Sequence, residues 1–251
     1  MPHGLIEVHG TTTLVGLLRW PPAHSRSPRM QNAGFAALGL DWAYVPLPTP
    51  PELLRDAIRG LVAMGFAGAN VTMPYKEAVI ALCDELDDVA ARAGSVNTLV
   101  VDAGRVLGSS TDGAAVTSQI DADGRRALVL GTGGAAKAAA AALVDAGAEV
   151  VVLGRRDPGW PPSADGFDVL VNATPVKDEL VVAPRLEMQV VDLAYNPDGR
   201  PTALIAAATD LGCRCVDGLD VLLAQGAASF ERWTGKPAPL AAMRDALRGT
   251  R

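Results

Sequence analysis

A strand pattern at residues 126–130, apolar after Arg126, runs straight into Gly131-Thr132-Gly133-Gly134-Ala135-Ala136, and an Ala-rich stretch follows to residue 146. No other feature restricts the fold as much. A strand that is apolar on both sides belongs inside a parallel sheet covered on both faces. The residues after it form G-x-G-x-x-A in strand–turn–helix order, the pattern of a dinucleotide-binding turn. Gly131 permits the tight turn, Gly133 lets the backbone approach a pyrophosphate, and Ala136 lets the helix pack closely on the strand. The helix N-terminus at Gly134 and Ala135 then offers free N–H groups and partial positive charge to phosphate oxygens.

Along the rest of the chain, short apolar runs alternate with amphipathic or Ala-rich stretches, as βαβ units do. Residues 12–18, 42–45 and 67–72 read as strands, and 28–38 and 51–64 as helices. Ser27 is the expected N-cap of the first helix, with Pro28 at its first position and Gly39 as its stop. A further helix is expected from Pro74. Residues 96–101 and 105–108 pair as a hairpin around Asp102-Ala103-Gly104. After Asp112 the texture changes, with strands at 126–130, 149–153, 168–171, 190–193 and 214–216, a helix at 134–146 and a Pro/Gly-rich loop at 157–166. Helices at 219–233 and 239–247 close the pattern. The expectation is two α/β domains with a ligand in the cleft between them.

The end of the second strand of the nucleotide unit bears on cofactor choice. An NAD site places an acidic side chain there, about 20 residues past the first glycine. This chain has Gly154-Arg155-Arg156 instead. A carboxylate would repel a ribose 2′-phosphate, whereas Arg pairs with it bidentately, so NADP is expected.

Composition sets the remaining limits. The chain has 251 residues, 49% of them apolar, with 22 Lys+Arg against 28 Asp+Glu. That balance excludes a disordered polyelectrolyte. A mildly acidic chain without a basic run is a poor binder of phosphate backbones, so no nucleic-acid partner is expected. The apolar region at 127–153 is interrupted by Gly131, Lys137, Asp145 and Glu149, which argues against a membrane span. Residues 1–8 lack a basic region ahead of an apolar core and do not read as a secretory signal. Cys83, Cys213 and Cys215 read as buried, reduced thiols of a cytoplasmic protein. His3, His9 and His24 lie far from them in sequence, and no metal is expected.

Four polar segments fall where strands end. These are His24-Ser25-Arg26-Ser27-Pro28, Asn70-Val71-Thr72-Met73-Pro74-Tyr75-Lys76, Ser95-Val96-Asn97-Thr98 and Ser110-Thr111-Asp112-Gly113. The alternation of Ser25 and Ser27 lets both hydroxyls reach a polyol, and Lys76 is expected one turn into a helix. Further motifs follow: Asn172-Ala173-Thr174-Pro175, then Asp192-Leu193-Ala194-Tyr195-Asn196-Pro197, then Asp217-Gly218-Leu219 with Gln225 beyond.

In this order, and with the nucleotide turn among them, these motifs resemble those of the shikimate dehydrogenase family. The resemblance implies a substrate-binding domain with a mainly parallel sheet over 1–111, completed by 218–251. It also implies a Rossmann-type NADP-binding domain over 112–217. The implied reaction is NADP-linked interconversion of shikimate and 3-dehydroshikimate, on the way to the aromatic amino acids. By that similarity Ser25, Ser27, Thr72, Lys76, Asn97, Asp112, Tyr195 and Gln225 hold the substrate, and Lys76 and Asp112 form the catalytic pair. Gly131, Gly133, Gly134, Ala135, Arg155, Arg156, Asn172, Thr174 and Gly218 hold the cofactor. The chemistry agrees with that pair: hydride reduction of a ketone puts negative charge on oxygen, which calls for a cation or proton donor.

The sequence also departs from the family pattern. The stretch between Gly16 and His24 is longer than the family's short G-x-P-I-x-H-S link, suggesting an added loop carrying Trp20. Ser110 replaces the usual Asn, Gln31 the usual His, and Val176-Lys177-Asp178 lacks the usual glycine. Quinate or an aminoshikimate is the alternative substrate, and a silent NADPH-binding regulatory module the alternative class. Having Lys76 and Asp112 together favours an enzyme. A monomer and a homodimer are both compatible with the sequence.

Overall fold

The computed structural model describes residues 7–249. His3 and most of the stretch read for a signal, residues 1–8, lie outside them. The chain divides into two compact units, one built from residues up to Ala90, Val96–Ser109 and residues from Gly226, the other from Ala91–Ser95 and Ser110–Gln225.

The first unit carries a six-stranded sheet. Its strands are β1 (Thr13–Arg19), β2 (Trp42–Pro48), β3 (Gly68–Val71), β4 (Glu85–Leu86), β5 (Thr98–Asp102) and β6 (Arg105–Ser109), in the order β2-β1-β3-β5-β6-β4. β1 pairs in parallel with β2 and β3, and β4 with β6, while the β3–β5 and β5–β6 pairs are antiparallel. β2 runs three residues beyond the predicted strand, through Pro46 and Pro48. An edge strand tolerates proline because one side of its ladder needs no donor. Part of the expected added loop after Gly16 is strand instead: Leu17, Leu18 and Arg19 belong to β1 and pair with Pro46, Leu47 and Pro48. Helices α1 (Ser27–Ala37) and α2 (Leu54–Ala63) flank the sheet, and Leu54, Ile58 and Leu61 of α2 are buried at helical spacing. Phe35 of α1 stacks on Phe230 with ring centroids 5.1 Å apart.

Two local expectations fail here. Ser27 is not the N-cap of α1: Arg26 holds that position, and no side chain caps the helix. Ser25 does the related work, its Oγ accepting the Ser27 N–H at 3.2 Å. Nor does a helix begin at Pro74. The peptide before it is cis, turns follow, and a short 3-10 helix forms only at Ala78–Leu82. Tyr75 is buried in the core and donates its phenol to the Thr49 carbonyl, so tertiary anchoring overrides the local helix signal.

The second unit is a five-stranded, wholly parallel sheet of β7 (Arg126–Leu130), β8 (Glu149–Leu153), β9 (Val169–Asn172), β10 (Gln189–Asp192) and β11 (Arg214–Val216), in the order β11-β10-β9-β7-β8. The chain leaves β7 toward β8 and then returns to the other side of β7 to form β9. The gap between β7 and β9 is therefore a topological switch point, the place where such sheets hold ligands. One face is covered by α4 (Asp112–Thr117) and α5 (Gly134–Asp145), which bury Ala115, Val116, Ala136, Ala139 and Leu143. On the other face, α6 (Ala203–Asp210) shares the cover with two non-helical segments, 154–168 and 173–188, which contribute Ala164, Val182 and Met188.

Three short helices escaped the sequence reading: α3 (Asp88–Ala93), α4 and α6. α7 (Gly218–Thr234) starts in the second unit and ends in the first, and α8 (Leu240–Arg248) follows. The three cysteines are free thiols but half-buried, short of the full burial expected. Burial pushes the Cys83 thiol up to about 11, aided by the nearby Asp84 carboxylate. No helix among the described residues is long and apolar enough to cross a membrane.

Candidate functional site

The turn after β7 is built as its glycines require. Gly131 has φ +117°, and its N–H donates to the Leu153 carbonyl at 2.8 Å. A Cβ at Gly131 would sit 3.1 Å from the Ala173 carbonyl oxygen, so the turn lies directly against the end of β9. Gly133 is extended, and a Cβ there would meet nothing within 4 Å. That open space faces the start of α5, whose first turn contains no acidic side chain. Ala136 is completely buried, as close helix–strand packing demands. The free N–H groups, the open approach and the acid-free first turn of α5 suit a phosphate.

At the end of β8, Arg155 and Arg156 are both exposed. A carboxylate does lie close by, three residues beyond Gly154. Asp157 uses Oδ2 to accept the Gly154 N–H at 2.7 Å, closing the turn that presents the two arginines.

On the β9 side, Asn172 is buried and its side chain is committed to the protein. Its Nδ2 donates to Val176 O at 3.1 Å and Asp192 Oδ1 at 2.8 Å, and its Oδ1 accepts from the Thr174 N–H and hydroxyl. Asn172 therefore shapes the turn that presents Thr174. The Thr174 hydroxyl also accepts the Val176 N–H at 3.3 Å, which closes the loop without the family's glycine. Gly218 is likewise a packing residue, since a Cβ there would come within 2.3 Å of the Ala194 carbonyl oxygen. Tyr195, the next residue after Ala194, is half-buried. Burial pushes the Asp192 carboxyl up to about 6, against the opposing effect of hydrogen bonds from Thr202, Ala194 and Asn172.

Asp112 opens α4 and is buried. Its neighbour Gly113 permits close packing on α5, where a Cβ would stand 2.5 Å from the Ala138 carbonyl oxygen. Thr111 donates its hydroxyl to the Gln225 carbonyl at 3.1 Å, which brings the Asp112 segment and Gln225 together. Ser110 and Ser95 are buried, and neither hydroxyl has a hydrogen-bond partner among the described residues. Gln31, in the first unit, donates through Nε2 to Gly226 O at 2.9 Å, and its Oε1 has no partner among the described residues.

The first unit gathers the other polar residues at one end of its sheet. The Thr72 N–H donates to Leu18 O at 3.1 Å, the Val71 N–H to Asn97 O at 2.8 Å, and the Val96 N–H to Lys76 O at 2.8 Å. Thr72, Lys76 and Asn97 are thus brought together where β1 and β3 end, and the loop carrying Ser25 and Ser27 leaves that same end of β1. Lys76 and Thr72 are half-buried and Asn97 is buried.

A buried brace behind them was not foreseen. Tyr44 donates its hydroxyl to Asn70 Oδ1 at 3.0 Å, and Asn70 Nδ2 donates to Asn97 O at 3.1 Å and Ser229 Oγ at 2.9 Å. Thr98 completes it, with its Oγ1 2.8 Å from Ser229 Oγ and donating to Asn97 Oδ1. One signal was available: Asn70 sits inside an otherwise apolar strand, and a buried amide needs partners. Among the described residues, no group of three or more His, Cys, Asp or Glu is arranged to hold a metal.

Comparison with known proteins supplies the family. Residues 19–99 match the family model described as the shikimate dehydrogenase substrate binding domain, and residues 218–248 match the shikimate 5'-dehydrogenase C-terminal domain. The shikimate dehydrogenase (NADP(+)) of Rubrobacter xylanophilus is 43% identical over 97% of this chain and 98% of its own. A crystal structure of a shikimate dehydrogenase in complex with NADP+ is similar with a TM-score of 0.89 at 30% identity, covering 96% of each chain. The shikimate 5-dehydrogenase of Thermus thermophilus, solved with NADP(H) and shikimate, is similar with a TM-score of 0.85 at 34% identity, covering 94% of this chain and 99% of that one.

Proposed function

The chain belongs to the shikimate dehydrogenase family, and we propose that it catalyses reversible, NADP-dependent hydride transfer between shikimate and 3-dehydroshikimate. The observation that carries this reading is the gathering of Thr72, half-buried Lys76 and Asn97 at one sheet end, in a chain that also has an unobstructed phosphate turn.

The residues divide the work as follows. The backbone from Gly131 to Ala135 receives the pyrophosphate of NADP, and Arg155 and Arg156 receive its 2′-phosphate. When bound, the nicotinamide ring supplies or accepts the hydride. Ser25, Ser27, Thr72, Asn97, Tyr195 and Gln225 hold the ring hydroxyls and carboxylate of the substrate. As the ketone is reduced, negative charge grows on its oxygen, and the Lys76 ammonium stabilises that charge and donates the proton. As the partner of Lys76 in the catalytic pair, the Asp112 carboxylate accepts a hydrogen bond from a substrate hydroxyl. In the oxidative direction the same lysine takes the proton back. Half-burial of Lys76 helps, because a charge partly removed from water acts more strongly on the developing oxyanion.

The substrate domain corresponds to the first unit and the NADP-binding domain to the second. Half-buried free thiols support a cytoplasmic setting. The working form is a monomer or a homodimer, which light scattering distinguishes.

An NADP+ reduction assay with shikimate, quinate and an aminoshikimate at matched concentrations tests the substrate. Shikimate is expected to give the highest kcat/KM, and a preference for either analogue overturns that choice. Lys76→Ala is expected to lower kcat by a factor of about 10²–10³ with a smaller rise in KM. Turnover surviving within tenfold would reduce Lys76 to a tether.

A further inference from the structure

The nucleotide reading uses the glycines and arginines of the second unit but leaves its most enclosed acid without a task. Asp192, the last residue of β10, has no solvent exposure. Its Oδ1 accepts from Asn172 Nδ2 at 2.8 Å and from the Ala194 N–H at 2.9 Å, and its Oδ2 accepts the Thr202 hydroxyl. Among the described residues no cation pairs with it. Asp217, the charged side chain that acts on it, stands at the start of α7 and has the same sign. An acid this deep is ordinarily paired with a cation, and here three hydrogen-bond donors replace one.

Those donors come from three separate pieces of chain at the C-terminal ends of the strands. Asn172 ends β9, Ala194 leads into Tyr195, and Thr202 caps α6. The linkage continues outward. Asn172 fixes the Thr174 turn, and Ala173 lies against Gly131 of the phosphate turn. In a sheet of this topology a dinucleotide lies across the switch point, one half over β7 and β8 and the other over β9 and its neighbours.

We propose that Asp192 is a positioning residue for the nicotinamide half of the cofactor site, its ionised carboxylate holding the turns after β9 and β10 at the spacing the cofactor needs. The proposal rests on the nucleotide reading above. An ionised acceptor draws its donors in more strongly than a neutral one. Protonation turns Oδ2 into a donor aimed at the Thr202 oxygen, which already accepts the Ile205 N–H. The grip on Asn172 and Ala194 then slackens. The environment of the carboxyl sets this change near pH 6.

The test compares NADPH dissociation constants from fluorescence titration, and steady-state KM and kcat, for the wild type, Asp192→Asn, Thr202→Val and Thr202→Ser between pH 5 and 8. In the wild type, NADPH affinity is expected to fall as pH drops through 6. The 2′-phosphate titrates in the same range, so the diagnostic quantity is the difference between wild type and variant. Asp192→Asn is expected to weaken NADPH and raise KM for NADP+ about tenfold at pH 8, and to lose the extra pH dependence, with kcat within a few-fold. Thr202→Val is expected to behave similarly and Thr202→Ser to restore binding. Lower thermal stability with unchanged KM and an unchanged pH profile overturns the proposal, as does failure of Thr202→Ser to restore binding. A wild type that binds NADPH but does not turn over shikimate sinks the proposed reaction alone, while one that binds no NADPH sinks both.

Discussion

Replacing Gly133 by Ala separates a phosphate-binding turn from an ordinary one. The added methyl meets no heavy atom within 4 Å, and the backbone, at φ −82° and ψ 177°, is extended and open to any residue. By packing and conformation alone the change should leave stability within about 1 kcal/mol of wild type, the smaller freedom of the unfolded state being offset by the poorer N-cap that Ala makes for α5. A dinucleotide pyrophosphate, however, must pass close to the Gly133 backbone, and the methyl occupies that path. Loss of even one well-made phosphate contact, at roughly 1.4 kcal/mol for each tenfold, is expected to raise the NADPH dissociation constant at least tenfold. Gly131→Ala is the opposite case. At φ +117° with a backbone oxygen 3.1 Å away, it is expected to cost about 1–3 kcal/mol of stability before any ligand is added. Urea unfolding and fluorescence titration on both variants give the four numbers. Gly133→Ala binding NADPH within twofold of wild type would refute the assignment of the phosphates to this turn.

Three further outcomes are expected. Arg155→Ala combined with Arg156→Ala should lower the preference for NADP+ over NAD+ by about tenfold or more, read as the ratio of KM values, and an unchanged ratio would place the 2′-phosphate elsewhere. Asn70→Ala should destabilise the first unit by about 2–3 kcal/mol in urea unfolding, because Tyr44 and Ser229 lose a buried partner. A loss under 0.5 kcal/mol would show the brace to be dispensable. Asp192 titrates near 6 when folded against 3.8 when unfolded, so its ionisation opposes folding. Relative to Asp192→Asn, the wild type should therefore lose about 3 kcal/mol of stability as pH rises from 4 through 6, at roughly 1.4 kcal/mol per pKa unit. Parallel curves for the two proteins would contradict this.

The second unit was the more legible in the sequence, for physical reasons. Apolar strands such as Val150-Val151-Val152 and the glycine turn after β7 are local signals, and the parallel sheet follows from them. What escaped depends on distant partners. The segment around Lys76 carries a helix-start signal that is overruled by Tyr75 reaching the Thr49 carbonyl. Ser27 carries a local cap signal, but the Ser25 hydroxyl holds that turn. α6 had a legible cap in Thr202, but its short Ala-rich run lacks a polar face to mark it. Asn172 and Gly218 stood in the right motifs, yet their side-chain tasks, bonding to Asp192 and clearing the Ala194 carbonyl, are set by neighbours some twenty residues away in the chain.

The path of α7 has a consequence for synthesis. The first unit takes its strands from the front of the chain but draws Ser229 and Trp233 from the back, where Ser229 binds Asn70 and the Trp233 indole donates to Leu99 O at 2.9 Å. On the ribosome, the earlier-made strands must wait for the later helix to supply these two buried hydrogen bonds, while the middle of the chain already contains nearly all of its own sheet and cover. The strands made earlier are the ones that mature later, and removing the residues from Gly226 onward should unmake the six-stranded sheet before it disturbs the wholly parallel one.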